Sequence, residues 1–198
     1  DRAAVATFRY VLIGTIAASF YLLGLGYLYA LTGTLNMADL AVRLSSVAPG
    51  SAVTVGVVLI VVGLAVKMAV FPLHGWMPDA YSYAPPPVTM FVAAVMSKVS
   101  AYALIRVMFF VLPAGEVVET ALAVLSWVAV GGILAGSILA LAQTDVRRML
   151  AYSSVGQMGY VVLGLSLGSV TALTGALLHV VAHAVAKGCL FGTVGSLS

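Results

Sequence analysis

Ser51–Ala80 reads SAVTVGVVLIVVGLAVKMAVFPLHGWMPDA, and the fold class follows from it. Its first part, Ser51–Phe71, is almost wholly apolar and carries one ionisable side chain, Lys67. A helix that crosses a bilayer needs about 20 mainly apolar residues, because hydrocarbon leaves no backbone polar group a partner outside the helix. This run meets that need. Behind Lys67 come Pro72, Gly75 and Pro78. Proline removes a helical hydrogen bond and clashes with the preceding turn, so the helix is predicted to stop or kink about one turn past the lysine. Interrupted helices beside an ionisable residue are a transporter device, since freed backbone groups and helix ends can hold ions or water. A proline-rich loop with Trp76 at the membrane interface accounts for the same composition equally well.

The rest of the chain repeats the pattern. Of 198 residues, 63% are hydrophobic and 8% charged, with a mean hydropathy of +1.16. Soluble domains carry about 25% charged residues, because a water-facing surface needs them. A chain this poor in charge must face lipid. Charge-free gaps place further spans at 10–32, 86–112, 120–142, 149–168 and 171–196, six with 51–71, and the connections leave no room for a soluble domain. The whole of 1–198 therefore reads as one all-α, polytopic transmembrane bundle. Barrel strands would alternate polar and apolar over roughly ten residues instead. Gly132 and Gly136, four apart, suit close helix packing. The chain opens at Asp1 without an initiator methionine and stops in mid-run at Ser198, which suggests a piece of something longer. Arg2, Arg9, Arg147 and Arg148 flank spans on one side, against Arg43 and Arg106 on the other, so the positive-inside rule makes the start of the first span cytoplasmic.

Three lysines lie inside spans: Lys67, Lys98 and Lys187. A lysine at a helix centre costs about 2.5–3.5 kcal/mol on insertion scales, and such residues usually face a bundle interior and mark ion or proton pathways. Lys67 is close enough to the end of its span to snorkel to the interface instead. Lys98 is too central for that. Lys187 shares a helix face with His183 and His179, at successive four-residue steps. Two imidazoles and an amine along one face make a proton relay. The same histidine spacing occurs in zinc-binding helices, but no third ligand or nearby carboxylate accompanies it. A plain core histidine pair is the other alternative.

Other chemistry finds no foothold. A lone Cys189 in an apolar run gives neither an internal disulfide nor a metal cluster. No phosphate-binding glycine loop, CxxC or pair of intramembrane carboxylates is present, so no catalytic, cofactor or metal residues are expected. Glu116 and Glu119 lie in a connection. Asp145 with Arg147 and Arg148 reads as a charged turn that anchors topology. The formal charge of +3 is too small and scattered for nucleic acid.

The run KMAVFPLHGWMPDAYSYAPPPVTMFVAAVMSKVSAYALIRV (Lys67–Val107) resembles the antiporter-like subunits of respiratory complex I, a family shared with Mrp-type cation/proton antiporters and membrane-bound hydrogenases. ALAQTDVRRMLAYSSVGQMGYVVLGL (Ala140–Leu165) and HVVAHAVAKGCLF (His179–Phe191) are similar to the same family in the same order. The resemblance implies that Lys67 is the proton-transfer lysine before a broken helix. It likewise implies that Lys98 connects two half-channels, and that His179, His183 and Lys187 continue a polar axis through the membrane centre. It implies a fold of two inverted five-helix repeats, of which this chain would cover most of one and the start of the other. The family's glutamate partner for the first lysine lies in a span before Tyr10–Thr32, and its second broken helix would follow Ser198.

The expected function is therefore proton translocation, as a membrane subunit of a redox-driven pump such as an NADH-quinone oxidoreductase or hydrogenase complex, or of a multisubunit cation/proton antiporter. Its expected partners are the lipid bilayer of a prokaryotic cell membrane, other membrane subunits and protons, with sodium left open. Two rivals remain at this point: a self-contained transporter or channel for another solute, and a structural scaffold that tolerates apolar replacement of all three lysines.

Overall fold

The computed structural model describes residues 2–47 and 50–196; Asp1 and Ser198, the two ends read above as cut, lie outside them. Among the described residues all regular structure is helical: α1 (Arg2–Thr32), α2 (Met37–Ser46), α3 (Ser51–Met68), α4 (Met77–Tyr83), α5 (Pro86–Arg106), α6 (Glu116–Leu141), α7 (Val146–Ser166) and α8 (Val170–Ser196). Five segments are long and apolar enough to cross a membrane: α1, α3, α5 with the turn that follows it, α6 and α8. The 21-residue α7, which overlaps the expected span at 149–168, is less apolar. It opens on Arg147 and Arg148 and is lined on other faces by α6, α8, α4 and α5, so its surface meets protein more than lipid.

Helix ends depart from the charge gaps for local reasons. α1 begins at Arg2, not at Tyr10, because Arg9 is accommodated by a carboxylate from α4. α2 was not expected. It is a short helix with Asn36 as N-cap, whose side chain accepts from the Ala38 and Asp39 N–H groups, and an Asp39–Arg43 pair at 2.9 Å. The Arg43 guanidinium holds the Asp39 carboxyl below the usual carboxylate range, with the Thr34 hydroxyl adding to the effect. Arg43 also donates to the Thr32 carbonyl at 2.9 Å, satisfying the frayed end of α1. After Arg106 the chain tightens into a π-helical turn, Val107–Val111, with the guanidinium 5.1 Å from the Phe110 ring centre.

Close approaches between glycines set the packing. An added Cβ on Gly24 would stand 2.6 Å from the Gly56 carbonyl, and one on Gly63 would stand 2.7 Å from the Ala17 carbonyl, so α1 and α3 touch backbone to backbone. α6 and α7 do the same through Gly136 against Gly156 and through Gly159 against Ala129 and Ile133, while Gly132 makes room for Phe71 of the break. α8 runs antiparallel to α5, with Gly195 over Pro86, Gly192 over Met90 and Gly188 over Ala94.

The interruption after Lys67 is built tightly. α3 ends at Met68, earlier than Phe71, where Ala69 takes a left-handed conformation (φ 55°). Ala69 and Val70 N–H groups close on the Ala65 carbonyl. The buried Trp76 indole Nε1–H donates to the Val66 carbonyl at 2.9 Å. Pro72 lies in the turns of the break, and Pro78 sits in the first turn of α4, where a missing N–H costs nothing. Trp76 is therefore buried in the break and is not an interfacial ring. Trp76→Phe keeps most of the packing and removes the indole donor. The thermal midpoint of the full-length protein in detergent should fall by the equivalent of about 1 kcal/mol; an unchanged midpoint would show that the bond adds nothing.

Candidate functional site: a buried line of lysines and histidines

Four of the five expected proton-transfer residues converge between α5, α7 and α8. Lys98 is 6% exposed, His183 4% and Lys187 3%. The α5–α8 register, carried one turn past Gly188 and Ala94, brings Lys98 level with the His183 turn. Lys98 Nζ donates to the Ala93 carbonyl on its own helix. Lys187 Nζ crosses to α7 and donates to the Leu150 carbonyl at 2.9 Å. Lys98, Lys187 and the two imidazoles lie near enough to interact electrostatically, with His183 between the lysines and His179. His179 stacks on His183 with ring centres 6.1 Å apart and planes 15° from parallel, and the Tyr160 ring meets His179 edge-on at 5.9 Å.

This is a site with more donors and acceptors than partners. Both ring nitrogens of His183 and Nε2 of His179 are buried without a hydrogen-bond partner. A buried polar atom left unpaired is costly, so these nitrogens are open to a further hydrogen-bond partner. Among the described residues no three His, Cys, Asp or Glu side chains gather to hold a metal.

Lys67 stands apart from that line. Its side chain is exposed on the outer face of the chain and borders a cavity of about 320 Å³ with Tyr10, Val11, Gly14 and Thr15 of α1, Trp76, and Met96 of α5. Met96, which lines this cavity, accepts from the Tyr10 hydroxyl through Sδ at 3.3 Å; two residues from Lys98, it lies on a different face of α5.

Three features escaped the sequence reading. Asp79 of α4 pairs with Arg9 of α1 at 3.0 Å and with Arg148 of α7 at 3.1 Å, tying the far side of the break to two other helices. Asp145 instead caps α7, accepting from the Arg148 N–H at 3.1 Å, so the charged turn is a helix cap combined with a tertiary clasp. His74, within the break, stacks on Phe71 and meets the Tyr152 ring edge-on, with Nδ1 buried and unpartnered. Its place among two prolines and a glycine was a signal that the emphasis on in-span residues passed over.

Comparison with known proteins places the chain as a whole in a family. The sequence profile of the family described as NADH:quinone oxidoreductase/Mrp antiporter, TM, matches residues 1–198. NADH-quinone oxidoreductase subunit N of Desulforudis audaxviator is 61% identical over 197 residues, which are 100% of this chain and 39% of that protein. The subunit N of Mycobacterium tuberculosis strain H37Rv is 36% identical over 96% of this chain and 35% of its own length. The chain thus spans about two fifths of the curated relatives it matches. Among solved structures, a chain of the membrane-bound sulfane sulfur reductase, an archaeal respiratory membrane complex, superposes with a TM-score of 0.93 at 37% identity, covering 98% of this chain and 40% of that one. A chain of the Mrp complex from Dietzia sp. DQ12-45-1b gives 0.88 at 29% identity, over 98% and 35%. The all-helical bundle and the match along the full length agree: this chain belongs to the NADH:quinone oxidoreductase/Mrp antiporter transmembrane family.

Proposed function

We propose that the chain forms the middle of a proton path in a membrane subunit of a multisubunit complex, either a redox-driven pump or a cation/proton antiporter. The observation that carries this reading is the buried convergence of Lys98, His183 and Lys187, with His179 stacked at its end. Two lysines buried in one low-dielectric cluster repel when both are charged, so gain of a proton at one favours loss at the other. Handing a proton along the line follows from that coupling. Lys67 belongs to the same path as a group set apart from the line, at its own cavity.

The whole protein would lie in a prokaryotic cell membrane beside other membrane subunits, with protons as the moved ion and sodium the alternative. Arg9 and Arg148 share Asp79 at one end of the bundle, which supports a common side for the basic residues and a cytoplasmic start for α1. No cofactor is assigned to this chain.

The test is proton uptake by vesicles carrying the assembled parent complex, native against Lys98→Ala. The variant is expected to assemble and to lose translocation by about tenfold or more, the rate equivalent of about 1.4 kcal/mol at the barrier. Native pumping by an assembled Lys98→Ala complex would transfer support to the scaffold reading.

A further inference from the structure

Leu150 of α7 offers one carbonyl oxygen to more donors than it can satisfy. Lys187 Nζ reaches it from α8 at 2.9 Å. The Ser154 hydroxyl, on the next turn of α7, reaches it at 2.9 Å as well. The helical N–H of Ser154 points at the same atom, four residues on. A carbonyl has two lone pairs, so three donors compete for it. When Lys187 is an ammonium it is the strongest of the three, since charged donors form hydrogen bonds roughly twice as strong as neutral ones.

The hydroxyl displaced by that competition has somewhere to go. α7 and α8 are antiparallel and packed, with Gly164 against Ala172 and Ala176. Lys187 meets Leu150, so one turn along, where α8 carries His183, α7 carries Ser154. Ser154 is 2% exposed and His183 4%, and both imidazole nitrogens of His183 lack a partner. Rotation about Cα–Cβ carries Ser154 Oγ off the Leu150 carbonyl and toward α8. The hydroxyl is both donor and acceptor, which no other side chain between the two basic groups provides in the bonds seen here.

Resting on the relay reading above, we propose that the Ser154 hydroxyl is a proton bridge between Lys187 and His183. In the transfer, an N–H bond of the Lys187 ammonium breaks as Oγ accepts that proton. The original O–H bond of Ser154 breaks as its proton forms an N–H bond on the acceptor nitrogen of His183. Lys187 ends neutral, His183 ends as imidazolium, and Ser154 is again a hydroxyl. The return step reverses each bond. The titratable groups around this point are His183 and Lys187 from α8 and Lys98 from α5, with His179 stacked one turn beyond His183.

The experiment compares Ser154→Ala, Ser154→Thr and Lys98→Ala with native protein, each in the full-length subunit within its assembled complex, by proton uptake into vesicles with a pH-sensitive dye. Ser154→Ala should translocate about tenfold more slowly, in line with the loss of one positioned proton-transfer group. Ser154→Thr, which keeps the hydroxyl, should restore most of the rate. Native pumping by Ser154→Ala beside a defective Lys98→Ala overturns the bridge and leaves the relay standing. Native pumping by both overturns the relay and the bridge with it. Equal loss in the Ala and Thr variants assigns Ser154 a packing role and overturns the bridge. If Ser154→Ala does not assemble, Ser154→Cys keeps the volume with a poor donor: slow pumping supports the bridge and native pumping overturns it. Failure of both to assemble also assigns packing and overturns it.

Discussion

Gly136→Val is expected to prevent stable assembly of the protein. At this position even a methyl group would stand 2.7 Å from the Gly156 Cα and 3.1 Å from the Tyr152 carbonyl, and closer still to the Gly156 nitrogen. All three are backbone atoms of α7, so no flexible side chain can yield. Relief requires α6 and α7 to separate along a contact that Gly159 extends against Ala129 and Ile133. Overpacking a tight core costs about 1–3 kcal/mol, occasionally more, and a rigid backbone on both sides puts this case at the upper end. In a membrane the loss is sharper, because helix association depends on close packing and lipid gives no hydrophobic drive to restore it. The check is the yield and thermal midpoint of the full-length subunit in mild detergent. A native midpoint would mean that the helices part here without cost.

Lys187→Met should separate function from stability. Methionine is unbranched, nearly as long and able to fill irregular gaps, so the volume around Leu150 is kept. What disappears is a buried cationic group whose partner is a single carbonyl on α7, 2.9 Å away. Replacing a buried ionisable group by an apolar one of similar shape is often neutral or stabilising, since the desolvation cost goes with it. Leu150 keeps the Ser154 hydroxyl as a donor. The thermal midpoint should therefore be equal to or above native, while vesicle proton uptake falls by about tenfold or more. A destabilised variant would show that the Lys187–Leu150 bond holds α8 to α7. A stable variant that pumps normally would remove Lys187 from the path.

The contrast between these two positions shows what the sequence can disclose. Long charge-free runs disclosed where helices lie, because lipid allows few alternatives; α3, α5, α6 and α8 begin within four residues of the expected places. α1 was cut short because Arg9 looked like an end, and its partner Asp79 is seventy residues away. α2 was overlooked although Asn36, Asp39 and Arg43 stand at cap and salt-bridge spacing; ten residues are too few to register when spans of twenty are sought. In the site, the shared face of His179, His183 and Lys187 follows from spacing alone. Bringing Lys98 to them depends on glycines at 188, 192 and 195 letting α8 lie against α5, a pairing that one helix's sequence does not name. The Leu150 carbonyl was invisible for another reason. It is backbone, present at every residue, and only tertiary packing singles it out.

The early end of α3 has a consequence for Lys67. Aligned peptide groups give a helix a macrodipole, equivalent to roughly half a negative elementary charge at the C-terminal end. Most membrane helices discharge that end into water or headgroups. α3 ends at Met68, beside Gly14 and Thr15 partway along the 31-residue α1, so its negative pole lies partway along the bundle at the Lys67 cavity. The Trp76 indole and the Ala69 and Val70 N–H groups satisfy some of the terminal carbonyls without cancelling the alignment that produces the pole. Lys67 thus has a fractional counter-ion made of main chain. Carboxylates can be protonated, mutated or carried away on a moving helix, but this one persists until the break itself is re-formed.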